Sequence, residues 1–136
     1  MIAATELRLV LVTPEKTLFD QPVKALRFPL FDGQIGVLPG RAPLIGRLGI
    51  GELKFDLPGG GSERFFIDGG FAQIKGSIVT LLTSRAMPIS AIDVEKAKVD
   101  LAAALASVPH DEAGFTQKAQ AVDRARKMIE LRTKRV

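Results

Sequence analysis

Residues 33–53 read GQIGVLPGRAPLIGRLGIGEL, six glycines and two prolines set among Ile, Val and Leu. Two readings compete for such a stretch. Glycine at this density suits a loop that cradles phosphate with its backbone N–H groups, and it equally suits tight turns between short buried strands. A Walker-type loop needs four residues between its glycines and then Gly-Lys-Ser/Thr opening a helix. Here three residues separate Gly36 from Gly40, and Arg41-Ala42-Pro43 follows, with Pro43 blocking that geometry. GIGELK (49–54) offers only the first two positions of a dinucleotide fingerprint, carries Lys54 in place of the last glycine, and continues into a strand-like run. The stretch is therefore read as turns within a sheet.

Working outward, the whole front half shares this grammar. Twelve of the thirteen glycines and six of the eight prolines lie before residue 87. ELRLVLVT (6–13) alternates with a period of two, and VKALRF (23–28), ELKFDL (52–57), RFFI (64–67), FAQIKG (71–76) and SIVTLLTS (77–84) are similar in length and content. Turn signals separate them at Thr13-Pro14, Asp32-Gly33, Pro39-Gly40, Gly59-Gly60-Gly61 and Asp68-Gly69-Gly70. Many short strands between Gly and Pro turns predict a β-sandwich or barrel.

The back half changes period. Eleven of the sixteen alanines lie from Ala86 onward. After Pro88, Ser90 and Asp93 stand three apart like a capping pair, and Val94, Ala97, Leu101, Ala104, Leu105 and Val108 recur at spacings of three and four, predicting a helix of about four turns. Pro109 breaks it. A second helix is predicted from about Asp111 to about Thr133, with Phe115, Ala119, Val122, Ala125 and Ile129 as its apolar stripe. The fold class is thus α+β, a sandwich domain over 1–86 followed by a two-helix hairpin over 87–136, and the first is expected to fold alone.

Charge is as unevenly distributed as glycine. Residues 118–136 hold Lys118, Arg124, Arg126, Lys127, Arg132, Lys134 and Arg135 against Asp123 and Glu130, so this segment carries +5 and the rest of the chain −1. Arg124, Lys127 and Arg135 fall largely away from the Phe115 stripe, with Arg126 and Arg132 near its edge. The chain has no cysteine, which removes disulfides and thiolate metal sites and suits a reducing compartment. Its N-terminus does not read as a signal peptide, and no apolar run approaches the roughly 20 residues that span a bilayer. Catalytic constellations are absent: His110 is the single histidine and sits in the interhelical break, Ser62 and Ser84 lack a nucleophile elbow, and no carboxylate pair is supported. No metal site or cofactor is expected. A nucleic-acid-binding β-domain with a basic tail is one alternative, weakened by the absence of Trp and Tyr for base stacking. An autonomous nucleotide-binding regulator is another.

In order and spacing, residues 33–53 together with FFIDGGFAQIKGSIVTLLTSRA (65–86) resemble the epsilon subunit of bacterial and plastid rotary ATP synthases. The positions that carry the likeness are Gly33, Gly36, Leu38, Pro39, Gly40, Arg41, Ala42, Pro43, Leu44, Gly69, Gly70, Phe71, Val79 and Thr80, and LVTPEKTLFD (11–20) and MIELRTKRV (128–136) extend it over nearly the whole chain. The resemblance implies a β-sandwich, of about ten short strands, rather than a barrel, followed by two helices, and a non-catalytic rotor part that couples c-ring rotation to gamma and the catalytic head. It implies c-ring contact at Gln34, Leu38, Gly40 and Arg41 and gamma contact at Ala42, Pro43 and Leu44. The basic second helix, with Arg124, Arg126, Lys127, Arg132 and Arg135, would meet an acidic loop of the catalytic beta subunit and inhibit ATP hydrolysis. Membrane association would come only through the complex, on the cytoplasmic face of a bacterial inner membrane or the stromal face of a thylakoid. In one place the chain departs from the family. Some epsilon subunits bind ATP through Ile/Leu-Asp-x-x-Arg-Ala and a second Arg-Ala seven residues on, whereas this chain keeps Ile92, Asp93 and Ala97 but has Lys96 and Ala103 at the arginine positions. Neither an ammonium nor a methyl group replaces a bidentate guanidinium, so ATP sensing is not expected.

Overall fold

The computed structural model describes residues 6–134, so Arg135 lies outside the described residues. Eight strands come first: β1 Leu7–Val12, β2 Thr17–Val23, β3 Ala25–Leu30, β4 Gly33–Val37, β5 Leu44–Asp56, β6 Ser62–Lys75, β7 Ile78–Leu82 and β8 Ala86–Pro88. A 3-10 turn, Ile89–Ala91, leads to helices α1, Val94–Ala106, and α2, Glu112–Thr133. Between Met87 and Pro88 the chain divides into two compact units, a β-sandwich and a helical hairpin.

The strands run in the order β2-β1-β7-β6-β5-β3-β4, with β8 pairing β6; the β1–β7 ladder is parallel and the other resolved ladders are antiparallel. Alternation in β1 does what a period of two requires: Leu7, Leu9 and Leu11 are buried, while outward Arg8 pairs with Asp20 of β2 at 2.6 Å. Leu9 and Leu11 register against Val79 and Leu81 of β7, and all four are fully buried. Phe55, fully buried, contacts the half-buried rings of Phe19 and Phe65, with ring centroids 4.6 and 6.0 Å apart.

The long β5–β6 hairpin explains the glycines. Its register is continuous from Leu44↔Ile74 to Asp56↔Ser62, yet its inward side changes along the way. Near one end the core takes Leu48, Ala72 and Ile74; near the other it takes Leu53, Phe55 and Ile67. Even positions give way to odd ones. Since successive side chains of a strand point to opposite faces, the pair must twist through the interior between these sets. Gly49, Gly51, Gly69 and Gly70 sit at that crossing, where one sheet passes from the first layer of the sandwich to the second. At Gly70, φ is +112°, and a Cβ would collide with the Leu82 carbonyl oxygen and stand 2.9 Å from Thr83 Cα. At Gly49 a Cβ would stand 2.9 Å from the Leu30 carbonyl oxygen. Both sites admit only hydrogen because another backbone lies against them. On the outer side of β5, Glu52 is buried and held by Arg64 at 2.7 Å and Arg27 at 3.5 Å, which offsets the cost of removing its charge from water.

Several expectations change. There are eight strands among the described residues rather than about ten, because RFFI and FAQIKG are one strand and Asp68-Gly69-Gly70 is a twist within it rather than a chain reversal. Residues 44–51 are strand, and β4 occupies the first glycines of the opening stretch. VKALRF is split at Lys24 between β2 and β3.

In the hairpin, Asp93 alone caps α1, its carboxylate accepting from the Lys96 N–H at 3.1 Å; Ser90 belongs to the 3-10 turn. Asp111 caps α2 through the Gly114 N–H at 2.7 Å. The predicted apolar stripes are only partly right. Ala97 and Ala125 are buried, but Leu105, Val108 and Phe115 are exposed, and Met128 and Leu131 take the buried positions of α2. The spacing 125, 128, 131 follows a helix face turned away from the one that Phe115, Val122 and Ile129 define. Arg124, four residues before Met128, lies on the buried side and is half-buried, contrary to the outward position expected for it.

Candidate functional site

Two surfaces carry the features that the sequence singled out. The first is on the sandwich. Gln34 is exposed on β4, and the loop 38–43 leaves Leu38 at 66% exposure with Gly40, Arg41, Ala42 and Pro43 open to solvent; Leu44 is half-buried as the first residue of β5. Gly40, at φ +85°, turns the loop. Gln34 and Leu38 flank one short strand and stand about 13 Å apart at 3.3 Å per residue, so they do not form a single point of contact.

Beside this loop the sequence missed a surface. With Leu44, Leu48, Ala72 and Ile74 turned inward, the neighbouring Ile45 and Phe71 must turn outward, and they are 79% and 61% exposed. Phe71 registers directly against Leu82, itself 52% exposed, and Gln73 registers against both Ile45 and Thr80. Together Ile45, Phe71, Gln73, Thr80 and Leu82 line a shallow groove of about 220 Å³. An apolar face of this kind on a sheet calls for a partner. The signal was in the sequence: adjacent apolar residues on one strand, Leu44-Ile45 and Leu81-Leu82, place one side chain on each face, so one of each pair must lie outside the core. At the neighbouring β3–β4 turn, the Arg47 guanidinium lies 4.7 Å over the Phe31 ring, and the Phe31 N–H donates to the Arg47 carbonyl at 2.8 Å, fastening that turn to β5.

The second surface is α2. Arg126 and Arg132 are exposed, Arg124 and Lys127 half-buried, and Lys127 pairs with Glu130 at 3.4 Å. In the motif at the start of α1, the Asp93 carboxylate is committed to the helix cap, Ile92 and Ala97 are buried, and the Lys96 ammonium faces Asp100 at 3.8 Å. Among the described residues no cluster of His, Cys, Asp and Glu is arranged to hold a metal ion, and no helix is long and apolar enough to cross a membrane.

The chain matches the family described as "ATP synthase, Delta/Epsilon chain, beta-sandwich domain" over residues 6–89. It is 48% identical over 99 residues to the ATP synthase epsilon chain of Rhodopirellula baltica, covering 73% of this chain and 77% of that one. To the ATP synthase epsilon chain of Granulibacter bethesdensis it is 36% identical over 126 residues, 90% and 93% of the two chains. Among solved structures, a chain of the Euglena gracilis mitochondrial ATP synthase, in a cryo-EM structure of its OSCP/F1/c-ring, superposes with a TM-score of 0.81 at 30% identity, over 91% of this chain and 79% of that one.

Proposed function

The chain belongs to the epsilon-chain family of ATP synthases, and we propose that it is a component of the central stalk whose two units divide the work. The sandwich is the fixed coupling element, non-catalytic, and joins gamma to the c-ring. Gamma docks on the face formed by Ile45, Phe71 and Leu82, with Ala42, Pro43 and Leu44 at its border. The observation that carries this reading is that face itself: apolar, outward and held rigid by the ladders beneath it. Buried aromatic and aliphatic anchors of this kind supply most of the energy of a protein interface. Gln34, Leu38, Gly40 and Arg41 meet the polar loops of the c-ring at two points, one on β4 and one on the loop 38–43, rather than one. The complex, through these contacts, holds the chain at the membrane, on the cytoplasmic or stromal face.

The hairpin is the regulatory element. Arg124, Arg126, Lys127, Arg132 and Arg135 engage an acidic loop of the catalytic beta subunit and slow ATP hydrolysis. Single exposed pairs contribute only about 0 to 1 kcal/mol, so the cluster acts together.

Two measurements test the division. Phe71→Ser combined with Leu82→Ser is expected to weaken binding to purified gamma at least about a hundredfold, the loss of two interface anchors, and parent-like affinity would remove the docking face. Changing Arg124, Arg126 and Lys127 together to Ala is expected to raise hydrolysis in the assembled enzyme without loss of assembly. An unchanged rate at low and high salt would make α2 a solvated face only.

A further inference from the structure

The hairpin is built differently at its two ends. Every buried side chain of α1 and α2 belongs to its root: Ala97 near the start of α1, and Ala125, Met128 and Leu131 toward the end of α2. At the tip, where the chain turns from α1 into α2, the large apolar side chains Leu105, Val108 and Phe115 are all about half or more exposed. Apolar burial does not close this end. What reaches across it is polar. The Lys118 ammonium on α2 donates to the Leu105 carbonyl at 3.2 Å and to the Ser107 carbonyl at 3.0 Å.

The Leu105 carbonyl is among the last of α1 and the Ser107 carbonyl belongs to its C-cap residue, at the end where helical carbonyls lack intrahelical partners and the helix carries partial negative charge. The last turn of α1 contains no basic residue of its own. Ser107 satisfies one further carbonyl, its hydroxyl donating to Ala104 at 2.8 Å, and brings no charge. The positive charge that α1 lacks is therefore supplied by the opposing helix, and it can be supplied only while the two helices lie side by side.

We infer that Lys118 is a charge-dependent latch that holds the tip of the hairpin closed. Separation of α1 from α2 begins at this tip, and loss of the ammonium favours it. The consequence for regulation rests on the reading of the hairpin given above, taken with α2 having to part from α1 to reach the acidic loop: a looser tip releases α2 more often and strengthens inhibition of hydrolysis.

The native chain has no cysteine, so Ala102→Cys with Ala119→Cys, both at exposed positions, gives two unique spin-label sites across the tip. In the full-length chain, Lys118→Gln is expected to broaden the label distance distribution and raise the open-to-closed ratio roughly fivefold, the scale of a charged carbonyl cap at a helix end. Lys118→Arg is expected to keep the parent distribution. Both variants should keep the thermal transition of the sandwich. A parent-like distribution in the glutamine variant, or equal broadening in the arginine variant, overturns the latch. The hydrolysis rate of the assembled enzyme is then read in the same variants. Slower hydrolysis with glutamine supports both the latch and the regulatory reading, whereas broadened distances with an unchanged rate leave the latch standing and remove the inhibitory role of the hairpin.

Discussion

The sandwich and the hairpin are closed by different means. In the sandwich, β1, β3, β5, β6 and β7 each send large side chains into one interior, and Leu9, Leu11, Phe28, Leu53, Phe55, Ile67, Val79 and Leu81 are fully buried there. Ladders tie these strands edge to edge, and Gly49 and Gly70 bring backbones into direct contact. The hairpin has few buried side chains, two of them alanines, and depends on the caps at Asp93 and Asp111, the Lys118 bridge and ion pairs along exposed faces. A helix of thirteen residues is marginal by itself in water, so α1 relies on its neighbours. The contrast fits the two roles proposed for them. A part that transmits torque must resist deformation, and a part that regulates must have a second arrangement within a few kcal/mol.

The sharpest way to break this contrast is to damage the interior of the sandwich. Phe55→Ala removes the ring that contacts both Phe19 and Phe65, and it is expected to lower stability by about 4 kcal/mol. Urea titration of the full-length chain checks this, and a loss below about 1 kcal/mol would show a sandwich no better packed than the hairpin. Next comes the crossing of the layers. Gly70→Ala meets both a left-handed backbone and the Leu82 carbonyl, so a loss of about 3 kcal/mol is expected by the same titration. Tolerance of that methyl group would mean that β6 and β7 are not in rigid contact.

The remaining tests sharpen the comparison from the hairpin side. Asp111→Ala deletes the cap of α2 and is expected to cost about 1 kcal/mol, read as faster amide exchange in the first turn while the strands keep their protection. If the strand amides speed up equally, the two units unfold as one. The smallest effect belongs to Lys96→Ala. Its partner Asp100 lies at 3.8 Å with both side chains more than half exposed, and stability is expected to change by less than about 0.5 kcal/mol in calorimetry. A larger change would give Lys96 a contact that its surface position does not suggest.

Much of this organisation was legible in the residues. The switch from glycine and proline to alanine located the change from strands to helices, the leucine alternation described β1 correctly, and Asp111 marked the start of α2, whereas the Ser90–Asp93 pairing placed the cap of α1 wrongly and the helix stops at Ala106, two residues short of Val108. The resemblance carried by 33–44 and 69–80 agreed with the family match over residues 6–89. What escaped was tied to direction. Asp68-Gly69-Gly70 has the composition of a turn, and local chemistry cannot tell a chain reversal from a twist inside a long strand. Likewise, the alanine-rich helices offered several plausible apolar stripes, and Phe115 drew the prediction toward a side on which Phe115 and Ala119 are exposed and Val122 and Ile129 only half-buried.

By itself, then, the sequence determined that strands come first and two helices follow, the cap of α2 and the segment that holds the charge, because those depend on composition and on contacts within a few residues. Only the tertiary structure decided which face of each element is covered. Ile45, Phe71 and Leu82 have the same apolar chemistry as Leu44, Ala72 and Leu81 one position away, and parity alone separates an exposed apolar face from a core. That parity reverses along β5 and β6 at a twist fixed by Gly49 and Gly70, whose partners Leu30 and Leu82 are distant in the chain. The Lys118 bridge has the same origin, since its carbonyl partners lie thirteen and eleven residues earlier on another element and meet it only when the hairpin closes.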